Sequence, residues 1–265
     1  PVQGLFEVPA LPYVGSGVLA SPLAMDKISF KQHMAAAGID VGSFVAFTAD
    51  QWRSDPAHLQ SQISGLGWPV FVKPSRAGSS QGISKVHGPG ELRTAIEEAL
   101  RHDPRLIVEA GVQDAREVEV GVLATPHPEV SVPGEIVVRT GHEFYDFEAK
   151  YLDDAAELLV PADLEPEVAE RVRALAVRAF DALGCEGLAR CDFFLTADGR
   201  VLINEVNTMP GFTPISMYPK LWEASGLAYG TLLDRLVDLA LERHARRSAK
   251  RVTDRMADAH RQSAD

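Results

Sequence analysis

The twenty residues from Leu188 to Asn207, LARCDFFLTADGRVLINEVN, constrain the fold more than any other stretch of the 265-residue chain. Two β-rich runs flank Ala197-Asp198-Gly199-Arg200, and Asp-Gly is a preferred two-residue type I′ hairpin turn. If that turn sets the register, Ala197 faces Arg200, Asp192 lies opposite Glu205, and Arg190 lies opposite Asn207. Alternation along the strands then projects all four polar side chains from one face. Directly opposed carboxylates repel, so the Asp192–Glu205 pair calls for a compensating cation. An oxygen cluster of Asp, Glu and Asn is the ligand set that Mg²⁺ prefers, usually completed by substrate phosphates. A solvent-facing polar hairpin would tolerate the same pairs. The apolar opposite face and the Gly/Pro-punctuated segment at 207–218 favour the metal reading.

Upstream, apolar periodicity and breakers predict an alternation of short strands and helices. Ser21-Pro22 reads as an N-cap and first helical residue of a helix running through Met25, Phe30 and Met34 to Gly38. Strands are expected at 11–14, 44–47, 68–74, 83–86 and 105–109, with helices at 56–65 and 90–101. Further strands are expected at 117–123 and 135–139, then a polar loop at 141–157 and a helix at 165–183 that ends at Gly184. The expected organisation is the end of an N-terminal domain at 1–20, a central unit at 21–109, a C-terminal unit at 110–242, and a polar, disordered tail at 243–265. The fold class is α+β or α/β.

Lys+Arg number 26 against Asp+Glu 37, a net charge of −11 that argues against a nucleic-acid or anionic membrane partner. No apolar run is long enough to span a bilayer, and the first residues carry no basic n-region. The two cysteines, Cys185 and Cys191, read as small apolar thiols in a reducing compartment. A cytoplasmic protein is expected. The chain has no initiator Met and opens in a helical pattern, so further residues are expected upstream.

Lys73 stands at the end of the strand WPVFVKP and is followed by Pro74-Ser75-Arg76-Ala77-Gly78-Ser79-Ser80-Gln81-Gly82. Small residues let backbone N–H groups approach phosphate oxygens, and hydroxyls add donors. There is no G-x-x-x-x-G-K-[ST] pattern, so this is not a Walker loop. Alone, such a loop reads more readily as an ordinary flexible hairpin, and the strand-terminal lysine beside it strengthens the phosphate reading. Lys27, in Met25-Asp26-Lys27, is uninformative by itself.

Together these segments resemble the D-alanine–D-alanine ligases of the ATP-grasp superfamily. The resemblance extends from Gln3-Gly4 to about Leu241. It is carried by Met25-Asp26-Lys27, Val72–Ser80, Phe144–Tyr151, Ala189-Arg190-Cys191-Asp192 and Asn204–Gly211, in the family's order and spacing. It implies an ATP-grasp fold that holds ATP between two α+β domains. Lys27 and Lys73 would contact phosphates, with Ser79 and Ser80 in the lid. Glu109 would meet the adenine amino group and Glu117 the ribose. Without the resemblance, both would read as surface glutamates. Lys150 would reach the γ-phosphate. Asp192, Glu205 and Asn207 would bind two Mg²⁺ ions (or Mn²⁺). Arg190 and the Gly211 amide would form an oxyanion hole, Ser216 and Met217 would hold the second amino acid, and Tyr151 would join Ser79 in a catalytic network.

The implied reaction joins two D-alanine molecules through an acyl phosphate, for peptidoglycan precursors, in a protein expected to be a homodimer. D-lactate- or D-serine-using ligases are alternatives, with Lys150-Tyr151 favouring D-alanine. A non-catalytic ATP-binding relative is disfavoured by the intact Arg190, Asp192, Glu205 and Asn207. Two positions depart from the family pattern, Ala110 for a lysine and Ala77 for a glutamate. The family's residues for the first substrate are expected upstream of this chain.

Overall fold

The computed structural model describes residues 2–123, 127–138 and 156–262. The chain opens with three helices, Val2–Glu7 (α1), Ala20–Met25 (α2) and Lys27–Ala36 (α3). A single helix from Ser21 is therefore not what forms. Asp26 breaks it, and its carboxylate accepts from the Ser29 amide at 3.0 Å to cap α3. Ser21 lies inside α2, with its hydroxyl donating to the Ser16 carbonyl. No strand forms at 11–14.

Phe44–Thr48 (β1) leads to two helices, Ala49–Ser54 (α4) and Pro56–Ser64 (α5). Val70–Pro74 (β2), Ser84–Val86 (β3), Pro89–Ala99 (α6) and Arg105–Ala110 (β4) follow. The strands pair antiparallel in the order β1-β4-β2-β3. Leu92 and Ile96 of α6 and Leu59 and Ile63 of α5 close over Val70, Val72, Leu106 and Val108 to form one core.

The larger sheet comprises Arg116–Leu123 (β5), Glu129–Val130 (β6), Gly134–Val138 (β7), Ala156–Leu159 (β8), Leu188–Leu195 (β9) and Val201–Asn207 (β10). Its order among the described residues is β10-β9-β5-β7-β8, with β6 on β5. Between β8 and β9 runs Pro166–Leu183 (α7), which puts Val172, Ala176, Ala179, Phe180 and Leu183 on one stripe and ends at left-handed Gly184, φ 64°. α7, α2 and α3 bury one face of this sheet. Met217–Ala224 (α8) and Tyr229–Gln262 (α9) cover the other through Tyr218, Trp222, Leu232 and Leu236.

The helical continuation to Gln262 corrects the expected break near 242. Arg243, 5 % exposed, stacks 4.0 Å from the Tyr13 ring centroid and donates to the Gly15 carbonyl. Arg247 reaches Glu7 at 2.7 Å and Glu186 at 3.4 Å. These basic residues are structural partners of the N-terminal segment rather than a solvated run.

The hairpin tip is also corrected. Thr196 and Arg200 are joined by backbone hydrogen bonding, and Ala197-Asp198-Gly199 form a three-residue loop with Gly199 at φ 81°. Near the tip Val201 pairs with Leu195 and Ile203 with Phe193; a bulge then shifts the register, so that Glu205 pairs with Asp192 and Asn207 with Arg190. The expected pairs at the site hold, but the turn does not set them. A bulge-free ladder would turn polar Asn204 into the core. The bulge instead keeps Val201 and Ile203 in the core and returns Glu205 to the polar face.

Candidate active-site cleft

The basic side of the cleft grows from β2, β4 and α3. Glu109, buried on β4, pairs with Phe71 across β2, and its Oε2 receives Lys73 at 3.0 Å and Lys31 at 3.5 Å. Burial would raise the Glu109 pKa, but Lys73 and Lys31 outweigh it and hold the carboxyl at about 2. Burial lowers the pKa of Lys31, 2 % exposed, against the pull of Glu109. Sequence reading missed Lys31, although it stands one turn after Lys27 on the same helix face.

Lys27, at the start of α3, donates to the Ala77 carbonyl at 2.6 Å. Its position is set by Asp26, which besides capping α3 accepts from the Ser75 hydroxyl at 3.0 Å and from Arg105. One buried aspartate thus ties the first lysine, the end of β2 and the start of β4 together. In the loop beyond Ser75, Ser79 and Ser80 hold left-handed conformations, φ 49° and 57°, which non-glycine residues rarely adopt.

The acidic side lies on β5, β9 and β10. Arg190 forks onto Asp192 with two bonds of 2.7 Å and lies 3.0 Å from Glu119. The Asn207 amide donates to Asp192 and to Glu205, both at 3.0 Å. Burial pushes the Asp192 carboxyl well above the usual carboxylate range, and Glu119 and Glu205 add to the effect against Arg190. The same neighbours, led by Asp192, hold Arg190 firmly protonated despite its burial. The cation that answers the opposed carboxylates in the protein itself is thus Arg190. Glu119, which the sequence reading did not single out, completes the cluster by pairing with Asp192 across β5 and β9. Its position two residues after Glu117 marks it as sharing that face, but only the β5–β9 pairing brings it to the site.

Glu119 and Glu205 crowd the Arg190–Asp192 pair with further negative charge, which a divalent ion would offset. Among the described residues no group of three or more His, Cys, Asp or Glu side chains is arranged to hold a metal. Asp192 and Glu205 offer carboxylate oxygens of the kind such an ion takes, while Asn207 directs its amide N–H groups at both, so the oxygen set is partial and needs further ligands from a bound phosphate.

A cavity of about 930 Å³ separates the two sides. Lys27, Lys73, Ser79, Ser80, Glu109, Glu117, Glu205 and Asn207 all line it, with Phe30, Phe71, Ile136 and Phe194 as apolar walls. Gly211 and Ser216 lie on the adjoining loop, where a Cβ on Gly211 would approach the Ser216 hydroxyl to 2.7 Å. That hydroxyl accepts from the Thr213 amide at 3.0 Å. Met217 is 4 % exposed and packs with Ile136 and Leu221, so its side chain is core and only its backbone is available for a ligand. Lys150 and Tyr151 lie outside the described residues. Both cysteines are free and buried, with burial raising the Cys185 thiol to about 11.

The family model described as D-ala D-ala ligase C-terminus matches residues 33–238. A protein of Pseudarthrobacter chlorophenolicus named D-alanine--D-alanine ligase is 56 % identical over 247 residues, covering 91 % of this chain. The chain spans 64 % of that relative's length. Among solved structures, the D-alanine-D-alanine ligase from Coxiella burnetii superposes with a TM-score of 0.82 at 36 % identity, covering 98 % of this chain and 68 % of its own. The VanG D-Ala:D-Ser ligase from Enterococcus faecalis superposes with a TM-score of 0.80 at 38 % identity, covering 90 % of this chain and 68 % of its own.

Proposed function

We infer the function from one settled premise: this chain belongs to the D-alanine–D-alanine ligase family, carries its C-terminal region and has its ATP-grasp fold. The reading is an ATP-dependent ligase that joins two D-alanine molecules for peptidoglycan precursors, in the cytoplasm. The observation that carries it is the opposition of charges across one cleft, with Lys27 and Lys73 on one wall, Glu205 and Asn207 on the other, and buried Asp192 bonded to Asn207 behind them. Among the described residues no helix is long and apolar enough to cross a membrane.

In this reading the triphosphate lies between the lysines and the carboxylates, with the base toward Glu109 and the ribose toward Glu117. Mg²⁺ held by Asp192, Glu205 and Asn207 would supply charge neutralisation at the phosphoryl group. Lys27 and Lys73 offset the remaining charge and align the γ-phosphoryl with the carboxylate of the first D-alanine, with Lys150 reaching in from its loop. Transfer of the γ-phosphoryl to that carboxylate releases ADP and gives an acyl phosphate; the neutral amine of the second D-alanine, its carboxylate at Ser216 and the Met217 amide, then attacks the acyl carbon and inorganic phosphate leaves. Arg190 and the Gly211 amide hold the oxyanion, at about 3 kcal/mol for a strong donor. Ser79 and Tyr151 belong to the network that closes the lid and excludes water.

The experiment is phosphate release from ATP with D-alanine, D-lactate and D-serine offered separately. D-Alanine-dependent release supports the reading, and release only with D-serine transfers it to the activity named for the VanG neighbour.

A further inference from the structure

Outside the cleft-lining residues, one turn gathers contacts from both ends of the lid. His102 and Asp103 connect α6 to β4 and belong to none of the motifs that carry the resemblance. Asp103, 3 % exposed, accepts from the Arg76 backbone amide at 3.0 Å, from its Nε at 2.8 Å and from its Nη2 at 2.7 Å. The Arg105 amide donates a fourth bond at 2.9 Å. Arg76 is the first residue of the lid, so its backbone and guanidinium are fixed at one point.

At the other end, Gly82 has φ 70°, and a Cβ there would come within 2.5 Å of the His102 ring and 2.9 Å of Pro74. The lid therefore leaves and returns against the same turn. Between its ends the loop runs through the small residues Ala77, Gly78, Ser79 and Ser80 before Gln81, and nothing lies within 4 Å of a Cβ built on Gly78. Having few side-chain contacts of its own, the lid takes its direction from its ends.

We propose that Asp103 is a positioning residue for phosphate binding: through its three-point grip on Arg76 it sets the root of the lid and thereby aims the backbone at Ser79 and Ser80 over the cleft. This rests on the nucleotide reading above. Charge-assisted, bidentate arginine–carboxylate contacts provide the geometric definition such a hinge needs. Arg76 is half-exposed, so its guanidinium can be removed without opening the core.

The test compares ATP and adenosine affinities of the full chain with Mg²⁺, as wild type, Asp103→Asn and Arg76→Gln. The wild type should bind ATP more tightly than adenosine. Each variant should lose about tenfold in ATP affinity while adenosine affinity moves by less than about twofold. Unchanged ATP affinity in both variants overturns the assignment, as does an equal loss for ATP and adenosine, which reports general damage instead. Arg76→Gln keeps the result decisive if Asp103→Asn does not fold. A wild type with no preference for ATP over adenosine overturns the nucleotide reading itself.

Discussion

Lys73 Nζ stands 3.0 Å from Glu109 Oε2, so the cation assigned to the triphosphate is already half of a buried ion pair. Lys31 shares the same oxygen. A nucleotide that draws Lys73 away would leave Glu109 with Lys31 and not as an uncompensated buried charge, a state that costs about 3–5 kcal/mol when one partner is simply deleted.

The Glu109 carboxyl is held at about 2, below its ordinary 4.5. Its contribution to stability is therefore complete above pH 4.5 and is lost as the pH falls toward 2. The interval is worth about 3 kcal/mol. Urea midpoints measured through this range should fall less steeply in Glu109→Gln than in the wild type. Parallel slopes would remove Glu109 from the acid transition.

Glu205→Gln should keep the fold and lose Mg²⁺-dependent ATP binding. Relief of carboxylate repulsion with Asp192 should raise the apo protein's stability by about 0.5 kcal/mol. Thermal melts with and without Mg²⁺-ATP read both effects. A normal Mg²⁺-ATP shift in the variant would strike Glu205 from the ligand set.

How much of this was legible in sequence differs by element. The polar face of the β9–β10 hairpin and the core stripe of α7 follow from local periodicity, and Lys73, Glu205 and Asn207 line the cleft with Asp192 bonded to Asn207. Lys31 and Glu119 were missed because their roles arise from the packing of α3 on β4 and the pairing of β5 with β9, which no local pattern states. The hairpin gave correct pairs from an incorrect turn, since a bulge at Asn204 offsets the longer loop. The tail misled because arginines that pair with distant Tyr13, Gly15 and Glu7 look the same in sequence as arginines in water.

Gly211→Ala should disturb the 211–216 turn through contact with the Ser216 hydroxyl. Adding Ser216→Ala removes the obstructing atom, so the double variant should be more stable than the sum of the single changes by about 1 kcal/mol. Denaturant titration of the four-member cycle tests this, and additivity would mean the turn moves aside freely.

Arg243→Met removes the bond to Gly15 and the stacking on Tyr13. Stability should fall by about 2 kcal/mol. Limited proteolysis should then cut within residues 8–19 faster than in the wild type, whereas an unaltered cleavage pattern would show that α1 holds its place without this clasp.

The bulge at Asn204 also divides the hairpin into two parts with separate phase. From Leu195–Val201 to Phe193–Ile203, pairing follows the loop; from Asp192–Glu205 onward it follows the charged ladder. The loop end is therefore a place where a reporter sequence or affinity label can be grafted, because the residue that realigns the two strands lies between the graft and the ladder.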